Sequence, residues 1–308
     1  MKLFENIFKL FLRYNDNYEI NMKNKRSSEI YDWSPSWFRA ESFDEKLAAN
    51  VRKFQKHMQI EETGVVDSST FRRKMTEREC VAVALKEKLD HRKKNSIICN
   101  GKKVDIEWGK VKTFRDMNFN FNLPANCYKK VSYERKPTLF VNHWDVCLES
   151  SSCYEILKKR GISVHFMIDN DGTIYQLLDT NDIAWHARPF NSKSIGVEIS
   201  NAYYTRYQKT YESMGFGKRP VMKDVEVHGR KLDSFLGFYP VQLEALKALT
   251  KAVCKAHDIP MQIPMKDGKV VEGVFDVKKN DFSGVVSHYH LNENKIDCAG
   301  LDLESVLK

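Results

Sequence analysis

Apolar residues recur along this chain in two periods, and the change from one to the other divides it. Leu3, Phe4, Ile7, Phe8, Phe11 and Leu12 fall near helical spacing, which predicts a short amphipathic helix at the start. Asn15 to Ser28 is polar and reads as a linker. Helical spacing returns through Leu47, Val51, Phe54 and Met58. Glu62-Thr63-Gly64 then makes a turn, and Asp67 or Ser68 is placed to cap a last helix holding Phe71 and Met75. Glu79 to Asp90 predicts a further helix. From Ser96 to Phe114 the pattern alternates, and Asn100-Gly101 between Ile97-Ile98-Cys99 and Val104-Asp105-Ile106 signals a hairpin. Asn118 to Lys136 is irregular.

From Pro137 onward the predicted order is strand, helix, strand, strand, strand, helix, strand. Thr138–Asn142 reads as a short buried strand. Tyr154–Arg160 is helical and ends at Gly161. Val164–Ile168 and Thr173–Leu178 flank the turn Asp169-Asn170-Asp171-Gly172, and Ser194–Ser200 is another strand. Pro240–His257 is an amphipathic helix through Leu243, Leu246, Leu249, Val253 and Cys254, and Gly284–Ser287 leads to a last strand end. Asn201 to Tyr239 has no strong period and reads as an insertion over the sheet edge. The expected fold class is α/β, a mixed central sheet flanked by helices, with a small helical N-terminal domain. The expected segments are 1–28 (amphipathic helix and linker), 29–78 (small helical domain), 79–136 (connecting segment with hairpin) and 137–308 (main domain).

Composition sharpens this picture. The 308 residues are 42% hydrophobic and 30% charged, which fits a folded chain and argues against disorder throughout. The net charge of +9 attracts polyanions such as nucleic acid, anionic wall polymer or lipopolysaccharide. No nucleic-acid-binding motif accompanies the charge, so no nucleic-acid partner is expected. Seven cysteines, an odd number without framework spacing, read as reduced thiols of a protein made in a cytoplasm. The N-terminal apolar run is broken by Glu5, Lys9 and Arg13, so neither a signal peptide nor a transmembrane segment is expected. Packing on its own protein is the expected role, with docking onto a partner or a membrane surface as the alternatives.

Nine histidines bring metal chemistry into view. A catalytic zinc takes three protein ligands and leaves one position open. His143 ends the apolar strand Leu139-Phe140-Val141, and His288 follows Gly284-Val285-Val286-Ser287; strand ends are where sites collect in layered α/β domains. Asp297 lies within a loop long enough to fold back beside His288. His165 sits on a strand face and reads as structural, with a place near the site left open.

Two resemblances follow from these residues. The run VRKFQKHMQIEETGVVDSSTFRRKM is similar to the second half of a peptidoglycan-binding helical domain, through Phe54-Gln55, Gly64-Val65-Val66-Asp67 and Thr70-Phe71. Residues 137–308 resemble the zinc amidases that include phage amidase-type lysozymes, bacterial muropeptide amidases and animal peptidoglycan-recognition proteins. VNHWD, GISVHFMIDNDGTIYQL, IAWHA, SIGVEIS and SHYHLNENKIDCAG match in that order. The resemblance implies hydrolysis of the amide between the lactyl group of N-acetylmuramic acid and L-alanine of the stem peptide. It implies Zn2+ on His143, His288 and Asp297, the last selected by the lysine–x–ligand spacing from Lys295, with His290 the rival for the second ligand and Cys298 the rival for the third. Zinc lowers the pKa of bound water from ~15.7 toward ~7. Glu198 would be the general base, Lys295 would stabilise the developing oxyanion, and Trp185 and His186 would meet the substrate or support the site.

The chain departs from that family at Asn142 and Trp144-Asp145 around the first histidine, at Cys298-Ala299-Gly300 after the last ligand, and in the long stretch Asn201–Tyr239. These bear on substrate preference more than on zinc. A non-catalytic muropeptide receptor and a structural virion component are the competing functions. The expected setting is a phage endolysin or virion-associated lysin, made in a host cytoplasm without a signal peptide. It would act on the wall after release or be carried in a virion, docked there or at a membrane surface through the N-terminal helix.

Overall fold

The structure, a computed structural model, describes residues 2–78, 94–117 and 119–307. The chain divides into Met1–Glu79 and Cys80–Lys308. The helix expected over Glu79–Asp90 lies outside the described residues.

In the first unit, α1 runs unbroken from Lys2 to Tyr31. The polar stretch Asn15–Ser28, expected as a linker, is therefore helical. Two of its polar residues, Asn24 and Ser27, turn inward because they serve backbone groups elsewhere in the unit. Asn24, fully buried, donates to Gly64 O at 2.9 Å and accepts from Val66 N at 2.8 Å, and the Ser27 hydroxyl donates to Val66 O. Helix α2 (Glu45–His57) is capped by Asp44, which accepts from Leu47 N at 3.0 Å. Helix α3 (Ser68–Arg78) is capped by Asp67, which accepts from Thr70 N at 2.7 Å. Buried Gln55 of α2 accepts from Gly64 N and donates to Val65 O, Thr63 and Thr70, so one amide side chain satisfies the turn that joins the two helices. Leu47, Val51, Val66 and Phe71 fill the core between them.

The second unit opens with a hairpin of β1 (Asn95–Cys99) and β2 (Lys102–Ile106), in the register expected from Asn100-Gly101. Both turn residues have positive φ, 50° and 77°, which suits this asparagine–glycine pair. Strand β3 (Val111–Thr113) pairs in parallel with a strand of the main sheet, so the sheet begins ahead of Pro137. Then come β4 (Tyr128–Lys129), β5 (Leu139–Trp144), α4 (Ser150–Lys159), β6 (Phe166–Ile168), β7 (Ile174–Gln176), β8 (Ile183–Ala184) and β9 (Ser194–Ile199). The stretch after β9 holds α5 (Gln208–Ser213) and short strands β10 (Val221–Met222), β11 (Glu226–Val227), β12 (Arg230–Lys231) and β13 (Phe235–Leu236). Helix α6 (Pro240–Ala256), the hairpin β14 (Met265–Lys266) and β15 (Lys269–Val270), β16 (Gly284–Ser287) and α7 (Leu303–Leu307) complete it.

The main sheet has the order β16-β5-β9-β6-β7-β3, with β6 and β7 antiparallel and the other neighbours parallel. It is the mixed α/β sheet that the sequence predicts. Side chains alternate between its faces. Phe140, Ile195 and Val197 pack into one core with Leu246, Leu249 and Val253 of α6. Each such buried side chain contributes roughly 1.5–3 kcal/mol. Leu139, Val141 and Val286 face the other way, against Ala187 and Val277. His143 shares the face of Leu139 and Val141, so it emerges beneath the loop that carries Ala187.

Candidate metal centre

Register brings the first groups together. In the parallel pair β5–β9, His143 is opposite Glu198, and in β16–β5, Ser287 is opposite Asn142, so the next residue, His288, comes level with His143. Three adjacent parallel strands thus deliver His288, His143 and Glu198 at their C-terminal ends, where open α/β sheets collect their sites. All three are buried. The loop after His288 folds back as expected, because Tyr289 N donates to Asp297 O at 2.9 Å.

Nδ1 of His143 and Nδ1 of His288 each lie 3.0 Å from the same Oδ2 of Asp297. One ligand atom from each of the three falls within 4.8 Å of the others. The donor set fits zinc: around a tetrahedral ion with bonds of ~2.0 Å, ligand atoms are roughly 3.3 Å apart. Burial, ahead of neighbouring His288, pushes the His143 imidazole down to about 4, so it is neutral as a ligand must be. Burial pushes the Asp297 carboxyl up, but His288 and His143 outweigh it and hold it well below the usual carboxylate range.

The rivals are elsewhere. His290 is fully buried, with Nδ1 accepting from Ser287 N at 3.0 Å and Nε2 donating to Val271 O at 2.8 Å, so both ring nitrogens are spent on backbone. Cys298 packs in the α6 core, and burial, then the Asp297 charge, pushes its thiol well above the ordinary value. Both ring nitrogens of His165 are likewise taken up by backbone: Nδ1 accepts from Gly196 N at 3.1 Å and Nε2 donates to Asp182 O at 3.0 Å.

A groove of about 830 Å³ opens onto the site. Trp185, His186, His288 and Lys295 line it, together with Lys129, Arg160 and Arg188, and no acidic side chain is among its described lining residues. His186 does more than face the groove, since its Nδ1 is 3.0 Å from His143 Nε2.

Sequence reasoning missed three contributors. His228, in the long insertion, donates from Nε2 to Lys295 O at 2.8 Å and so holds the backbone of the expected oxyanion lysine. Arg135, almost fully buried, donates to Asn191 O and Ser194 O. Asn191 Oδ1 in turn accepts from the backbone N–H groups of His186 and Ala187, which fixes the groove loop. Gly196 is the third: a Cβ there would lie 2.5 Å from His186 Nδ1. A glycine inside a buried strand signals such a close approach, and that was the available clue.

The family model described as N-acetylmuramoyl-L-alanine amidase matches residues 133–298, and one described as a peptidoglycan binding domain matches residues 39–73. Among solved structures, the chain is similar to the N-acetylmuramoyl-L-alanine amidase LysC from Clostridium intestinale URNW, at 18% identity and a TM-score of 0.37, covering 64% of this chain and 94% of that one. It is similar to the Ph2119 endolysin from Thermus scotoductus MAT2119 bacteriophage Ph2119, at 16% identity and a TM-score of 0.33, covering 64% and 96%. It is also similar to the amidase AmiD from E. coli, at 21% identity and a TM-score of 0.30, covering 43% and 48%. No curated protein matches the chain significantly. With the amidase match spanning residues 133–298 of 308, the chain belongs to the N-acetylmuramoyl-L-alanine amidase family.

Proposed function

We propose that residues 137–308 hydrolyse the lactyl–L-alanine amide of peptidoglycan with zinc held by His143, His288 and Asp297. The observation that carries this reading is the convergence of two imidazole nitrogens on one Asp297 oxygen, each at 3.0 Å. A zinc ion there acidifies water and polarises the scissile carbonyl. Glu198, next to His143 in register, takes the proton of the attacking water and passes it to the amine of L-alanine as that leaves. Lys295 lends its ammonium to the carbonyl oxygen as negative charge develops. Trp185 offers an aromatic wall to the substrate, and Lys129, Arg160 and Arg188 suit carboxylates of a stem peptide.

The N-terminal unit, residues 29–78 with α1, anchors the enzyme to the wall. A wall-binding unit joined to an amidase supports a lysin, acting after release or from a virion. Exposed Tyr18 and Met22 on α1 support docking through that helix at a virion or membrane surface. No helix among the described residues is long and apolar enough to cross a membrane.

Digesting purified peptidoglycan with the full chain tests the reaction. Mass spectrometry is expected to find intact glycan strands and peptides with free L-alanine N-termini. A chelator is expected to stop the release and added zinc to restore it. Cut glycosidic bonds, or release untouched by chelation, would contradict the proposal.

A further inference from the structure

The ligand His143 is one end of a longer chain of polar groups. Its Nε2 is 3.0 Å from His186 Nδ1. His186 Nε2 is 3.1 Å from Ser194 Oγ, and that oxygen is 2.9 Å from Phe190 O. Ser194 is fully buried. Ser194, Gly196 and Glu198 alternate along β9 on the face shared with His143, and the His186 ring lies across Gly196, where a Cβ would intrude.

Counting protons gives this chain a direction. Both ends, the Asp297 carboxylate and the Phe190 carbonyl, only accept. Between them stand two imidazoles, each with one ring proton in its uncharged form, and one hydroxyl, which together bring three protons to four links. One link must therefore go without. If His143 Nδ1–H points at Asp297 and His186 Nδ1–H points at His143 Nε2, the protons run toward the carboxylate. If His143 gives its Nδ1 lone pair to a cation instead, that link can hold no proton, and the remaining three are all filled in the opposite sense.

We propose that His186 and Ser194 are positioning residues that set the tautomer of His143 for metal binding, an inference that rests on the metal reading above. With the cation in place, His143 Nε2–H donates to His186 Nδ1, His186 Nε2–H donates to Ser194 Oγ, and Ser194 O–H donates to Phe190 O. On metal entry each ring proton moves from Nδ1 to Nε2 and the hydroxyl turns, so the three groups neither gain nor lose a proton. Gly196 keeps the space that lets the His186 ring make this link. An outer partner of this kind orients a ligating imidazole and raises its basicity.

Two measurements on the full-length protein test this. Long-range 1H–15N correlation of histidine-labelled protein is expected to find the His186 proton on Nδ1 without metal and on Nε2 after zinc is added. Competition against a chromophoric chelator is expected to show His186→Leu binding zinc about 10–100-fold more weakly than the parent. His186→Asn, which keeps an acceptor where Nδ1 stood, is expected to bind close to the parent. The relay is overturned if zinc binds while His186 keeps its proton on Nδ1, or if a folded His186→Leu binds zinc as tightly as the parent. Should that variant not fold, the spectrum of the unaltered chain decides alone. No zinc binding by the parent would instead overturn the metal site itself.

Discussion

Replacing Asp297 with alanine is expected to cost the protein its zinc and, with it, amidase turnover. Asp297 is the one anionic group of the trio, and a single oxygen of it gathers both Nδ1 atoms at 3.0 Å. Two imidazoles without an anionic ligand are a poor site for a divalent ion. The adjacent Cys298 offers no substitute, because its thiol is packed in the core and held protonated by burial. Zinc supplies several kcal/mol of transition-state stabilisation, so the loss in kcat/KM should be about 10³-fold or more. Metal content after dialysis and turnover of peptidoglycan fragments check both halves. A variant that keeps zinc and most of its activity would remove Asp297 from the ligand set.

Glu198→Gln is expected to separate chemistry from metal binding. Glu198 lies on β9, one strand over from His143, outside the trio of ligand atoms that converge within 4.8 Å. Glutamine keeps the shape and removes the base. Losing a general base lowers kcat by about 10²–10⁴-fold. Zinc content is expected to stay at the parent level and KM to move little, since the groove is unchanged. Loss of zinc together with activity would make Glu198 a ligand and leave the general base unassigned.

The strand ends were the most legible part of the site. An apolar run followed at once by histidine, twice, is a local pattern, and parallel register does the rest by bringing His143 and His288 level. His288 and His290 are harder to separate in sequence, being two residues apart. Only the short helical turn after β16 decides which one meets Asp297 and which one spends its ring on Ser287 and Val271. Asp297 is legible only through the motif spacing from Lys295, and its approach to the two histidines depends on a loop closure that no periodicity reports.

What stayed illegible has physical causes. Asn24 and Ser27 are polar yet buried, so apolar periodicity fails where α1 continues through them. Strand β3 has three residues, too few to alternate visibly. The Asn201–Tyr239 stretch lacks a period because its strands are two residues long, and from it His228 reaches the Lys295 carbonyl across a large gap in sequence. The His186–Ser194 link is likewise a matter of ring direction, with Gly196 as its only sequence trace.

The central claim, one zinc held by two imidazoles and a carboxylate, is tested most directly by zinc K-edge X-ray absorption on the full-length protein with its metal content measured. The account predicts one zinc per chain with nitrogen and oxygen neighbours at about 2.0–2.2 Å. A sulfur neighbour at about 2.3 Å, or no stoichiometric zinc, would contradict it.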